Sequence, residues 1–564
     1  MSDALSRNNQ SWWKEAVIYQ IYPKSFYDSN NDGIGDIRGI IEKLPYLREL
    51  GITMIWVSPF YKSPMADNGY DISDYYAINP NLGNMPDIET LITRASESGI
   101  QVMIDLVVNH TSDEHPWFQK ALSEPESKYR DYYIFRPGIE NTFPNNWRSI
   151  FGGSAWEKVA HEKNYYLHTF HRKQPDLNWE NPALREEIYT MINWWLKKGI
   201  AGFRVDAITF IKKDQDYCSL PADGVDGLAS IKGKSRNRPG IEVFLNELKE
   251  RTFKRYGGIT VGEAPGVPLQ EYPTFIGPDG YFDMIFDFHA ADIDVENGSE
   301  WFRRRQWSIG EFKKMLFDSQ RAFIKSGWGT TFIENHDQPR ALSKLVRQHQ
   351  FQNDIGAKAL AAMYFFMHGT PFIYQGQELG IKNFRRTRIE EFDDISSIDN
   401  YYRSLAEGFS SAESLEFVNQ RSRDNSRTPF QWSDTLNAGF NQGTTPWLAF
   451  SSEEFSVNAE TQLQQKNSVF NFYKRMIALR NKEFPECLVY GSFLPLENCA
   501  ESIIAYVRSH AGESIISITN LSEQAIPFSM PPGEVLLNNY DSVGSSLKPY
   551  QTILIKEFIK NEKI

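Results

Sequence analysis

The chain has 564 residues, 41 % of them apolar and 23 % charged, enough for one large domain with appendages or for two to three ordinary domains. Its formal net charge of −12 repels phosphate backbones and argues against nucleic acid as a partner. The sequence holds no run of about eighteen apolar residues, so no membrane span is expected.

Three cysteines without paired spacing, Cys218, Cys487 and Cys499, speak against a disulfide framework and a cysteine-bound zinc. The stretch from Met1 to Arg7 lacks the basic-then-apolar build of a signal peptide, so a cytoplasmic protein is expected. Aromatic residues are plentiful, with 14 Trp, 27 Tyr and 38 Phe. They serve ordinary packing, and flat rings also suit the C–H faces of sugars.

In chain order, a strand at 17–22 opens an alternation of short apolar strands and amphipathic helical stretches, the pattern of a parallel sheet. A helix at 36–50, a strand at 53–57, a helix at 86–98 and a strand at 101–108 follow. The helix at 182–198 has Asn181 as N-cap and Pro182 at its first position. It leads into a strand at Gly202, and further strands fall at 259–261, 284–288, 330–333 and 371–374. Eight strands interleaved with helices predict an α/β fold of the (β/α)8 TIM-barrel type. An open doubly wound sheet could also use eight strands, but no glycine-rich dinucleotide fingerprint follows the first.

The helical period lapses over 110–181, which predicts a subdomain inserted after the third strand. It lapses again over about 380–457, too long for a simple loop. Short alternating strands near the end predict an antiparallel β-sandwich. The expected division is 1–109 with 182–480 for the barrel, 110–181 for the inserted subdomain and 481–564 for the C-terminal β domain.

In a (β/α)8 barrel, functional residues sit at the C-terminal ends of the strands. Those ends carry Asp105 to His110 on strand three, Arg204 and Asp206 on strand four, Glu263 after strand five, and Glu334 to Asp337 after strand seven. Arg204 and Asp206 are two residues apart on a strand and share a face. Alone they would suit a buried ion pair just as well. Together, Asp206, Glu263, Asp337, His110 and His336 place five ionisable groups on one face, a costly arrangement to bury without a task. Two carboxylates around one small space suit glycoside hydrolysis, one as nucleophile and one as acid. Metal-assisted hydrolysis competes, but no His-x-x-x-His pair or cysteine ligand set is present.

The blocks "DLVVNH", "GFRVDAI", "VGEA" and "ENHD" resemble the four signature regions of the α-amylase family, glycoside hydrolase family 13. Gln174 to Asn178 resembles the fifth region as found in oligo-1,6-glucosidases, α-glucosidases, dextran glucosidases and sucrose isomerases. The resemblance implies that Asp206 is the nucleophile, Glu263 the general acid and base, and Asp337 the transition-state stabiliser. Arg204 would hold Asp206 ionised, and His110 and His336 would bind glucose hydroxyls. By the same resemblance Asp67, Tyr70 and Arg423 close a pocket around the non-reducing end, with Phe151, Phe170 and Gln174 lining it. A closed pocket implies exo-action.

The stretch from Asp28 to Asp36 has oxygen ligands at alternate positions and a glycine at the sixth, like the start of a calcium loop. Gly39 at the twelfth position, in place of a bidentate glutamate, argues against an EF-hand. Asp28, Asn30, Asp32, Ile34 (through its carbonyl) and Asp36 are the candidate ligands of a structural Ca2+ or Mg2+. A plain Asn/Asp/Gly turn is the alternative.

The expected activity is that of a monomeric, retaining, exo-acting α-glucosidase on small oligosaccharides with α-1,6 or α-1,4 linkages. Sucrose isomerisation or glucosyl transfer is the rival on the same scaffold. Isomerases of this group carry an Arg-Leu-Asp-Arg-Asp run where this chain has Ala290-Ala291-Asp292-Ile293-Asp294, and tend to "DNHDNP" where it has "ENHDQP". A non-enzymatic, transporter-associated member would lack the carboxylates. Ala207 follows the nucleophile, where α-1,6-specific relatives tend to valine. A smaller side chain there suits α-1,4 or mixed linkages, whereas the Gln174 block points to 1,6.

Overall fold

The computed structural model of the protein describes residues 11–140, 142–296, 298–450 and 456–558. The stretch from Met1 to Arg7, read above for targeting, and the last six residues of the expected β domain lie outside the described residues.

Eight parallel strands form the barrel: β1 (Ile18–Ile21), β2 (Met54–Val57), β3 (Gln101–Val107), β4 (Gly202–Asp206), β5 (Ile259–Glu263), β6 (Met284–Phe286), β7 (Thr330–Thr331) and β8 (Thr370–Tyr374). The sheet runs in the order β6-β5-β4-β3-β2-β1-β8-β7. At the closing seam, among the described residues, no ladder joins β6 to β7. Thr330 Oγ1 instead donates to the Ile285 carbonyl at 3.2 Å, and Phe286 packs on Phe332 with ring centroids 5.1 Å apart.

Strand alternation turns Met54, Trp56, Met103, Val261, Met284, Phe286 and Phe372 to the barrel axis. Ile55, Val57, Ile104, Phe203, Val205 and Ile373 turn outward into the larger core beneath the helices. Burying each such side chain contributes roughly 1.5–3 kcal/mol.

The helices start where the sequence provides a cap. Asp36 accepts from the Gly39 N–H at the start of α1 (Ile37–Leu50), which ends on Gly51 at φ 100°. Asn84 and Asp87 form a capping box on α2 (Met85–Glu97), and Asn181 accepts from Ala183 and Leu184 N–H at the start of α3 (Pro182–Lys197).

Between β3 and α3 lies the inserted segment, with a three-stranded antiparallel sheet of Phe135–Pro137, Asn164–Leu167 and Trp156–Lys158. Trp147–Arg148 pairs with Ala229–Ser230 of the excursion after β4. The buried Arg148 ties the two excursions by ion pairs to Asp223 at 2.5 Å and Asp226 at 2.7 Å.

The long stretch after β8 contains two helices, Ile395–Ala406 and Ser411–Arg421. At the C-terminal end, β9 (Ser492–Pro495), β10 (Ile503–His510), β11 (Glu513–Asn520), β12 (Gly533–Asn538) and β13 (Thr552–Glu557) form an antiparallel sheet in the order 9-10-11-13-12. A two-strand ladder, Ile526–Pro527 with Ser546–Leu547, is the only pairing in its second layer among the described residues.

Candidate active site

The register of β3 against β4 places Asp105 opposite Arg204, and this pair is the base of the site. The wholly buried Arg204 reaches three carboxylates. Its Nη1 lies 2.6 Å from Asp105 and 2.5 Å from Asp206, and its Nη2 lies 3.0 Å from Glu263. Its guanidinium also sits over the Trp56 ring at 5.1 Å, and Trp56 Nε1 donates to Asp105 at 2.7 Å.

One cation among three carboxylates cannot neutralise them all. Burial pushes the Asp206 carboxyl well above the usual range; Glu263, Asp105 and Asp337 add to this, and Arg204 opposes it. Asp105 is likewise pushed up, to about 6, by burial against the pull of Arg204. Arg204 thus draws Asp206 towards its ionised form, against burial and the neighbouring acids.

The chain turns sharply after β4. Ala207 adopts the left-handed conformation at φ 43°, and its N–H donates to Glu263 Oε2 at 2.7 Å. The backbone of Ala207 thus positions Glu263, a task its side chain did not advertise.

Asp337 faces the opposite balance. Burial alone would raise it, but His336, Arg423 and Arg427 outweigh that and hold its carboxyl below the usual range. Arg427 lies at 2.8 Å, His336 Nε2 at 3.1 Å and Arg423 at 3.3 Å. Burial lowers His336 to about 3, so the ring is neutral at working pH. The Gln20 amide nitrogen faces its Nδ1 at 2.7 Å, which leaves the proton on Nε2, 2.6 Å from the Tyr70 hydroxyl. Tyr70 stacks on this imidazole with planes 8° apart.

His110 is held in the same tautomer. Its Nδ1 is 3.1 Å from Asn109 Nδ2, and its Nε2 is 3.1 Å from the Tyr70 carbonyl. Asn109 in turn accepts from the buried Lys213 at 2.8 Å, and Lys213 pairs with Asp176 at 3.0 Å.

Across the opening, Asp67 accepts from Gln174 at 3.0 Å and from Arg423 at 3.1 Å, while Arg423 also binds Asp394 at 2.8 Å. Arg423 lies over the Phe151 ring at 5.0 Å, and Phe151 packs on Phe170 at 5.7 Å.

These groups enclose a cavity of about 240 Å³. Asp67, Tyr70, His110, Phe151, Phe170, Asp206, Ala207, Glu263, Asp337 and Arg423 line it. Gln174, Arg204 and His336 are wholly buried behind this wall and hold the lining residues in place. The sequence reading had given no role to Asp105, Gln20, Lys213, Asp394 or Arg427. Asp105 opens a recognised block and Arg427 lies four residues after Arg423, but neither position says which side chains face each other. The lining also includes Phe288, two residues beyond β6, and Trp301, Lys232, Arg236 and Asp292, which lie further from any barrel strand.

The nominated cation loop is remote from this cavity. Asp28 accepts from the N–H groups of Asn31 at 2.7 Å and Gly33 at 2.8 Å, and Asp36 accepts from Ser29 while capping α1. Asn30 and Asp32 are exposed, and the Asp32 carboxylate accepts from Ile34 N–H. Asp28 and Asp36 are both buried without a basic partner among the described residues, and burial, with the nearby Asp28 charge, raises Asp36. An all-oxygen set with uncompensated buried charge suits a hard cation. The side chains are not gathered into a cage: among the described residues no three His, Cys, Asp or Glu are so grouped.

Barrel and site together define a glycoside hydrolase of the (β/α)8 class. Residues 20–491 match the model of the α-amylase catalytic domain. The chain is 44 % identical over 538 residues to an oligo-1,6-glucosidase of Parageobacillus thermoglucosidasius, covering 94 % of this chain and 95 % of the relative. It superposes on the isomaltulose synthase of Klebsiella sp. LX3 with a TM-score of 0.91 at 40 % identity, covering 97 % of this chain and 99 % of that one. The trehalose-6-phosphate hydrolase of Bacillus licheniformis gives a TM-score of 0.88 at 41 % identity, with 97 % and 99 % covered. The chain belongs to the α-amylase family, glycoside hydrolase family 13. Among the described residues no helix is long and apolar enough to cross a membrane.

Proposed function

We propose that the protein is a retaining, exo-acting α-glucosidase that removes terminal non-reducing α-linked glucose from short oligosaccharides such as isomaltose, isomalto-oligosaccharides and maltose. One observation carries this reading. Asp206 and Glu263 are held by the two terminal nitrogens of one planar guanidinium, at 2.5 and 3.0 Å. That keeps the carboxyl groups close together, as retention requires.

The mechanism follows. Asp206 attacks the anomeric carbon while Glu263 gives its proton to the glycosidic oxygen, so the bond to the leaving sugar breaks as the glucosyl ester forms. Glu263, now ionised, takes a proton from water, which displaces Asp206 and releases α-glucose. Asp337, kept ionised by Arg423 and Arg427, accepts from the sugar hydroxyls and strengthens as positive charge develops on the ring. Asp67, tied to Arg423 and Gln174, closes the far end, so only a chain terminus fits.

Hydrolysis is favoured over isomerisation. Asp292 and Asp294 of the segment after β6 are both bound by Arg421 at 2.6 Å, and the segment has no arginine of its own. Ala207 supports mixed α-1,6 and α-1,4 use. Three unpaired cysteines suit the cytoplasm, and we take the working unit to be a monomer.

Asp28, Asn30, Asp32, the Ile34 carbonyl and Asp36 would hold Ca2+ or Mg2+, which supplies charge compensation under α1 and takes no part in the chemistry. Chelation should lower the melting temperature, and Asp28→Ala should abolish that response. An unchanged melting temperature after chelation removes the cation.

A product profile from sucrose, maltose, isomaltose and dextran tests the activity. Glucose from maltose and isomaltose at comparable kcat/KM is expected, with no sucrose isomer and no internal cleavage of dextran. An isomer as the main product from sucrose, or mid-chain dextran fragments, would overturn the reading.

A further inference from the structure

The far end of the pocket is closed by a tight hook of chain, Met65 to Asp71, which presents both Asp67 and Tyr70 to the cavity. Three of its residues are left-handed: Met65 at φ 66°, Asn68 at 50° and Gly69 at 105°. Glycine takes that conformation freely, whereas Met and Asn hold it only where their surroundings impose it. Within the hook's own backbone, Tyr70 N–H donates to the Asp67 carbonyl at 3.1 Å and Asn68 N–H to the Met65 carbonyl at 3.3 Å. Two such turns leave the direction of Asp67 to be set by other contacts.

Asp71, which has no part in the mechanism above, ties the base of the hook. Its carboxylate folds back along the chain, Oδ1 accepting from the Asp67 N–H at 3.0 Å and Oδ2 from the Ala66 N–H at 2.8 Å. The side chain is wholly buried, and among the described residues no basic side chain is in salt-bridge contact with it. Burial raises its carboxyl to about 6 and the two N–H groups pull it back down, so it is ionised at neutral pH. Burying a carboxylate without a counter-ion is costly, and what offsets the cost here is the pair of charge-assisted bonds to this one turn. The remaining ties grip other parts of the hook. Lys24 donates to the Asn68 side chain at 2.6 Å and Asn68 donates to Asp393 at 2.9 Å, while Gln174 and Arg423 hold the Asp67 carboxylate itself.

We propose that Asp71 is a positioning residue for the terminal glucose: by fixing the backbone at Ala66 and Asp67 it aims the Asp67 carboxylate into the pocket and so sets how tightly the non-reducing end is held. This rests on the α-glucosidase reading, which makes the Asp67 wall the place of that glucose. Asp71 itself does not line the cavity and acts only through its neighbour. An amide in its place would set an NH2 donor against one of the two backbone N–H donors, leaving that N–H unpaired in a buried turn. The left-handed Met65 and Asn68 would then relax, and Asp67 would turn away from the sugar.

The test measures kcat and KM for maltose and isomaltose together with the inhibition constant of free glucose, since neither KM nor that constant depends on how much of a preparation is folded. Asp71→Asn should raise KM and the glucose constant in parallel by about tenfold, the loss expected for hydrogen bonds to a charged group, with kcat changed far less. Asp71→Ser, which removes the charge without placing a donor against the turn, should shift both constants in the same direction. Adding Met65→Gly to Asp71→Asn relieves the left-handed strain and should recover part of the loss. In an Asp67→Ala background, Asp71→Asn should add little, because its effect runs through Asp67. A fall in kcat with KM and the glucose constant unchanged, or a full additive loss in the Asp67→Ala background, overturns this inference alone. A parent enzyme that cleaves neither maltose nor isomaltose would sink the α-glucosidase reading and this inference with it.

Discussion

Glu378 shows how strongly this barrel buries acids that take no part in catalysis. It follows β8, accepts from the Tyr19 and Tyr46 hydroxyls at 2.8 and 2.7 Å on one oxygen, and leaves its other oxygen without a partner. Burial raises it to about 7 against the pull of those two hydrogen bonds. A carboxyl whose folded-state pKa is raised contributes stability that is complete below its unfolded value and is lost as pH rises through its folded value. The window therefore runs from about pH 4.5 to 7, and the loss amounts to roughly 3 kcal/mol. Calorimetry at pH 5 and pH 8 should show a smaller fall in melting temperature for Glu378→Gln than for the parent. Parallel pH curves would contradict this. At the active centre the same burial works on Asp105 and Asp206, where Arg204 opposes it, whereas around Asp337 the cations outweigh it.

Buried ties between segments explain how loops from distant parts of the sequence make one rigid wall. Lys213, beyond β4, reaches Asp176 of the inserted segment and, through Asn109, fixes the ring of His110. Lys213→Met would leave Asp176 buried without its cation, at a loss of about 3 kcal/mol or more. Asp176→Asn in the same chain should restore part of it. Thermal unfolding checks both, and a Lys213→Met variant as stable as the parent would remove this tie from the account.

The strands bearing the site were legible because short apolar stretches lead into polar residues, as Gln101–Val107 leads to Asn109 and His110 and Gly202–Asp206 carries Arg204 and Asp206. The cap at Asn181 was legible for the same local reason, whereas Asp36, read as a helix start and a cation ligand, also caps α1. Register was not: nothing in the order of residues says that Asp105 stands beside Arg204, or that Lys213 lies under Asn109. Strands of two or three residues, such as Trp147–Arg148 and Trp156–Lys158, are too short for alternation to mark. Of Ala207, composition showed only a small side chain, while its left-handed backbone and its bond to Glu263 came from the turn itself.

In the whole molecule, the additions to the barrel are anchored at both ends. Arg148 binds the two excursions over the mouth, and Arg508 fastens the C-terminal sheet below by donating to the carbonyls of Phe366, Leu488, Val489 and Gly491 at 2.7 to 2.9 Å. The barrel so braced can hold a crowded set of charges in one geometry, which is what a covalent double displacement demands of its two carboxyl groups. The central claim is that Asp206 attacks and Glu263 protonates on one small face. Proton NMR of the first glucose released from maltose tests it most directly, before mutarotation blurs the signal. The account predicts α-glucose from the parent and no release from a folded Asp206→Asn variant; β-glucose as the first product, or sustained turnover by that variant, would contradict it.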